Sequence, residues 1–138
     1  MTPTLEDRLA VHELIALYGH LVDAGELERS AEVFTTDVVY DLSDFGQGEV
    51  VGLAALMKAA LARGARNPVA HHVTDVVIEG RTADGGLRVR SKGLGVMSDG
   101  SCGSVTYEDL VVRVADGWRI SRRRVVARRV PLNGLGQA

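Results

Sequence analysis

The chain has 138 residues, 46% hydrophobic and 25% charged, with a formal net charge of −2. That length fits one domain over residues 1–138, and folding buries roughly two thirds of the surface of an unfolded chain of this size. The near-neutral balance gives no reason to expect nucleic acid or an anionic membrane as a partner. The single cysteine, Cys102, excludes an internal disulfide and a Cys-based zinc site.

The first residues, Met1 to Arg8, carry no signal-peptide pattern, and no apolar run approaches the ~20 residues of a membrane span. A cytoplasmic protein is the expectation. Thr4 to Ala24 reads as a helix: Thr4 can cap it, Asp7 holds the acidic place of a capping box, and Leu5, Leu9, His12, Ile15, Tyr18 and Val22 follow helical spacing, with Leu14, Leu17 and Leu21 widening the stripe. Gly25 supplies a stop. The pattern then predicts a short helix over Glu26 to Phe34, a strand over Val38 to Leu42, a Gly-rich loop from Ser43 to Gly48, and a third helix from about Val51 to Arg63.

Beyond Arg63 the period changes. Val69–Glu79, Leu87–Met97, Ser104–Ala115 and Trp118–Val130 are four β-type segments. Their connections carry turn residues: Asp84-Gly85-Gly86, Asp99-Gly100 and Asp116-Gly117. Helices first and consecutive strands last favour an α+β fold, with helices packed on a curved, mostly antiparallel sheet. A pocket between the two layers is a natural place for a small apolar ligand.

Residues able to do chemistry are few. Tyr18 and Asp23 lie five positions apart at the end of the first helix, ~140° apart if the helix stays regular, so Asp23 turns inward only if the last turn unwinds. A carboxylate there opposes the helix dipole. His71 and His72 are neighbours on a strand and face opposite ways. His71 shares its side with Val69, Val73 and Val77, and His72 shares its side with Ala70, Thr74, Val76 and Ile78, so periodicity does not choose between them. Tyr40 and Asp41 also alternate, whereas Tyr107 and Asp109 share a face. An inward carboxylate could serve as a base with a raised pKa, or could stay ionised and orient an imidazole. The arginines between Arg119 and Arg129 read as a solvated strand face.

No nucleophile elbow, phosphate loop or dinucleotide fingerprint is present. Gly100-Ser101-Cys102-Gly103 sits in a hairpin turn, and Gly93-Leu94-Gly95 is a fragment inside a strand. Aromatic residues, at 4%, are too few for base-stacking platforms.

The ordered set of Tyr18-x4-Asp23, Ala31 to Asp41, Gly52, His71-x3-Asp75, Tyr107-Glu108-Asp109 and Gly117-Trp118-Arg119-Ile120 with Arg123 following resembles the SnoaL-like branch of the NTF2-like superfamily. The resemblance runs over essentially the whole chain and implies the cone-shaped α+β fold of that superfamily. Within it, the Tyr–Asp–His set is most similar to scytalone dehydratase and the bile-acid dehydratases, which work without metal or organic cofactor. That likeness implies Asp23 as the helix-end acid, His71 as the strand base and Tyr18 as a hydroxyl donor. Tyr40, Asp41, His72, Tyr107, Asp109 and Arg123 are then the expected substrate contacts. It implies a lyase or isomerase acting on a small hydrophobic carbonyl or polyketide-like molecule, and a homodimer. The chain departs from scytalone dehydratase in having no second histidine in Leu87 to Leu94, so a two-histidine mechanism is not available. A non-catalytic ligand-binding or assembly module is the alternative.

Overall fold

The computed structural model describes residues 2–137. Helix α1 (Leu5–Asp23) begins as its sequence predicts. The Thr4 hydroxyl accepts the Asp7 N–H at 3.0 Å, and the Asp7 carboxylate accepts the Thr4 N–H at 3.1 Å, a reciprocal pair that satisfies donors the first helical turn leaves free. Val11, Leu14, Ile15 and Leu21 form its buried face, whereas Leu5, Leu9 and His12 of the expected stripe are exposed.

Residues Leu27–Glu32 form a 3₁₀ helix and not an α-helical segment, and Phe34 opens strand β1 (Phe34–Asp41), four residues earlier than the pattern predicts. A single 3₁₀ turn at Ser43–Phe45 leads to β2 (Glu49–Val51), which the sequence did not signal. Helix α2 (Leu53–Arg63) follows, with Gly52 at its start in a positive-φ conformation (φ 93°) that glycine adopts without a Cβ clash. Then come β3 (Ala70–Arg81), β4 (Leu87–Val96), β5 (Cys102–Val114) and β6 (Gly117–Ala127).

The six strands make one open sheet in the order β2-β1-β6-β5-β4-β3. All neighbours run antiparallel except β1 and β6, which are parallel. Two irregularities set which side chains face the helices. In β3 the register on β4 shifts between Thr74 and Val77, and Asp75 takes φ 59°. This bulge inverts the alternation: His71 and Val73 precede it on the inner face, and Val76 and Ile78 follow it there, both packed on the core. A second shift, opposite Leu110 and Val111, does the same in β6, where Trp118 and Ile120 are buried before it and Arg123 and Val125 after it.

The hairpin end is fastened to the start of α1. The Trp118 indole donates to the Asp7 carboxylate at 3.2 Å, Arg113 pairs with the same carboxylate, and its guanidinium lies 4.6 Å over the Trp118 ring.

Candidate functional site

Between α1, α2 and the inner face of the sheet lies a cavity of about 610 Å³, walled mainly by apolar side chains such as Val22, Leu56, Met57 and Val125. His71 and all three tyrosines of the chain, Tyr18, Tyr40 and Tyr107, reach it.

His71 is the histidine that faces inward. Its Nδ1 lies 2.7 Å from Asp23 Oδ1, and its backbone N–H donates to Asp23 Oδ2 at 2.9 Å. A carboxylate accepts only, so this grip selects the tautomer with the proton on Nδ1 and leaves Nε2 as an acceptor toward the cavity. The imidazole side chain is 13% exposed. Asp23 is the last residue of α1, which stays helical through it; the carboxylate reaches the start of β3 from the helix end without the unwinding that the spacing predicts.

The close approach of α1 to β3 depends on Gly19. A Cβ at that position would stand 2.8 Å from the His71 carbonyl oxygen. Gly93 plays a similar part on β4, where a Cβ would collide with Tyr107 Cε2, so the Tyr107 ring lies flat across the space a side chain would fill. Neither glycine figured among the expected site residues. The available signal was a lone glycine within a helical pattern and another within a strand pattern, each a mark of close backbone approach.

The tyrosines are linked. The Tyr18 and Tyr40 hydroxyls are 3.1 Å apart, and the Tyr18 ring meets Phe34, His71 and Tyr107 edge-to-face at 5.7, 5.9 and 6.0 Å between centroids. Burial pushes the Tyr40 and Tyr107 phenols well above their usual range, so both keep their protons.

Asp109 and Arg123 lie beneath this cluster and do not line the cavity. They form a fully buried bidentate pair, Nε to Oδ1 and Nη2 to Oδ2, each at 2.8 Å. Arg123 is the exception in the arginine run: Arg122, Arg124, Arg128 and Arg129 are exposed as expected, but the β6 irregularity turns Arg123 inside. Burial alone would lower its pKa, yet the Asp109 carboxylate outweighs that and raises it well above the ordinary value.

Besides Asp109 and Arg123, two more of the expected substrate contacts lie away from the cavity. His72 is exposed on the opposite side of β3 from His71. Asp41 follows inward Tyr40 and therefore faces outward. There it accepts the Ser43 hydroxyl, the Ser43 N–H at 2.9 Å and Arg122 Nη2 at 3.1 Å, contacts that hold its carboxyl below the usual range. Among the described residues no three His, Cys, Asp or Glu side chains gather in a way that could hold a metal ion.

A curved, mostly antiparallel sheet with helices across one face and a polar cluster in the pocket between them defines the NTF2-like class. Residues 3–124 match the model of the SnoaL-like domain, and the chain belongs to that family. Its fold is shared by a proposed aromatic ring hydroxylase from Novosphingobium aromaticivorans (29% identity, 94% of either chain, TM-score 0.74). It is shared as well by an NTF2-like protein with a cystatin-like fold from the same organism (26% identity, 89% of this chain and 82% of the other, TM-score 0.74). A proposed scytalone dehydratase from that organism, at 21% identity over 91% of this chain and 86% of its own (TM-score 0.73), bears on the fold alone. No curated protein matches the sequence. No helix among the described residues is long and apolar enough to cross a membrane.

Proposed function

We propose that this protein is a lyase or isomerase of the dehydratase or cyclase type, using Asp23 and His71 as its acid–base pair on a small hydrophobic carbonyl compound. The observation that carries the reading is the two-point grip of one carboxylate on His71, at 2.7 and 2.9 Å, beside an apolar cavity.

His71 Nε2 takes a proton from the carbon next to a carbonyl, the C–H electron pair becomes a C=C bond, and the carbonyl π pair moves onto oxygen. Asp23 keeps the ring in the required tautomer and stabilises the imidazolium that forms. Tyr18 donates a hydrogen bond to the enolate oxygen, and Tyr40 supports the Tyr18 hydroxyl from behind. In a dehydration the enolate electrons expel a β-hydroxyl, which leaves as water with the proton returned by His71. In an isomerisation the same proton goes to another carbon. His12, His20 and His72 are exposed, and His71 is the histidine on the cavity wall, so one imidazole serves first as base and then as acid. A positioned base contributes ~10²–10⁴-fold and an oxyanion donor ~10²–10³-fold.

The test is hydrogen–deuterium exchange at the α-carbon of a panel of cyclic β-hydroxy ketones in D₂O, followed by NMR. Exchange is expected with the wild type and a loss on the order of 10²-fold or more with His71→Ala. Exchange retained within a few-fold by a folded His71→Ala protein rejects the assignment. Binding of the panel with no exchange by the wild type favours a ligand-binding module.

A further inference from the structure

Arg123 is the largest fully buried side chain in the protein, 0% exposed, and the mechanism above makes no direct use of it. Its guanidinium carbon lies 4.0 Å from the Tyr107 ring centroid, 4.6 Å from that of Tyr18 and 5.8 Å from that of Phe34. Asp109 takes two of its nitrogens, and Nη1 has no hydrogen-bond partner among the described residues. A buried ion pair is seldom worth more than the apolar residues that could replace it. This one is also incompletely satisfied, so its place directly beneath the pocket tyrosines calls for a reason other than stability.

We propose that the Arg123–Asp109 pair is a positioning element that makes the Tyr18 hydroxyl a strong donor to negative oxygen in the cavity. A cation against the face of a phenol draws electron density from the ring and so polarises the O–H bond, and the effect is largest where water is excluded. Asp109 fixes the guanidinium by its two bonds, so the plane of charge stays in contact with Tyr18 and Tyr107 together. Gly93 allows Tyr107 to lie flat enough to share it. The Tyr18 and Tyr40 hydroxyls are 3.1 Å apart; with Tyr18 donating to an oxygen in the cavity, Tyr40 is the donor between them and completes the line. The charge thus acts on the site without touching the ligand. This inference rests on the proposed role of Tyr18 as an oxyanion donor.

The experiment compares 4-nitrophenolate with neutral nitrobenzene, two probes of similar shape that need no turnover, by equilibrium dialysis at constant pH. The wild type is expected to prefer the phenolate. In Arg123→Met combined with Asp109→Leu, which removes both charges, that preference is expected to fall about tenfold, with nitrobenzene affinity unchanged. Arg123→Lys keeps a charge but covers one ring at most, and is expected to recover part of the preference. An unchanged preference in the folded double variant overturns the inference. Should that variant not fold, an unchanged preference in Arg123→Gln combined with Asp109→Asn, which keeps the shape of the pair without its charges, does so. A wild type with no preference for the phenolate removes the Tyr18 reading as well. Where the wild type does prefer it, Tyr18→Phe separates the two: loss there with none in the pair variants leaves Tyr18 a donor and Arg123 merely structural.

Discussion

Replacing Gly19 by Ala probes how closely α1 and β3 are held together at the site. A Cβ there would sit 2.8 Å from the His71 carbonyl oxygen, whereas ordinary contact begins at 3.4 Å. The obstacle is backbone, which cannot rotate aside, so the two elements must part by about half an ångström. Overpacking of this kind costs about 1–3 kcal/mol, and the helical preference of Ala over Gly returns about 0.5–1 kcal/mol. A net destabilisation of about 1–2 kcal/mol follows, or a melting temperature lower by roughly 4–8 °C for a domain of this size. The same movement stretches both Asp23–His71 contacts, since they span the gap being opened. Thermal unfolding followed by circular dichroism gives the first quantity. The ¹H–¹⁵N signals of the His71 amide and ring report the second. A Gly19→Ala protein that melts higher than the wild type, with the His71 signals unmoved, would refute the close packing of α1 on β3.

Gly93→Ala should displace the Tyr107 ring and destabilise by about 1–3 kcal/mol, and near-ultraviolet circular dichroism should register the loss of tyrosine order. Arg123→Met alone strands the Asp109 carboxylate in the core and should cost about 3–5 kcal/mol in urea unfolding, well above the cost of removing both charges together. Thr4→Ala should cost about 1 kcal/mol through the lost cap of α1, measured in the same way. Asp7, Asp41 and Asp44 have folded pKa values below the ordinary 3.8, through hydrogen bonds from Thr4, Ser43 and the Ala127 amide respectively. Their stabilisation is therefore complete above the unfolded carboxylate range and is lost as pH falls through the folded values. Melting temperature should stay level above about pH 5 and drop below about pH 4, and Asp41→Asn should flatten that drop.

The chain made much of this architecture readable. The cap at Thr4 and the strands joined by Asp-Gly turns follow local rules, and they came through with small shifts in their ends. The stripe of α1 held only in part, because its first turn meets the sheet through Asp7 and Trp118: Leu5 and Leu9 are exposed, and Val11, one turn on from Asp7 and outside the expected stripe, is fully buried. β2 escaped because its three residues follow a Gly-rich loop and pair only with β1, an interaction with no local signature. The choice between His71 and His72 was unreadable from alternation for a definite reason. Val76 and Ile78 share a parity with His72, yet the bulge at Asp75 moves them to the side of His71. The same physics concealed Arg123, whose parity relative to Trp118 and Ile120 places it outside until the irregularity in β6 is counted. Resemblance to a family supplied His71, Asp23 and Tyr18, whereas the outward turn of Asp41 follows from its neighbour Tyr40 alone.

The parallel pairing of β1 with β6 bears on the order in which the molecule can form. β3, β4 and β5 join through short connections and can zip up as they leave the ribosome, but β1 waits for the last strand of the sheet, with only the three residues of β2 as company. Tyr40 stands beside Arg123 in that late pairing, so the floor of the cavity is assembled last. Pairings so distant in sequence are slow because loop closure precedes their reward. A chain stopped short of β6 leaves β1 with one edge unpaired, a template for adhesion to other chains.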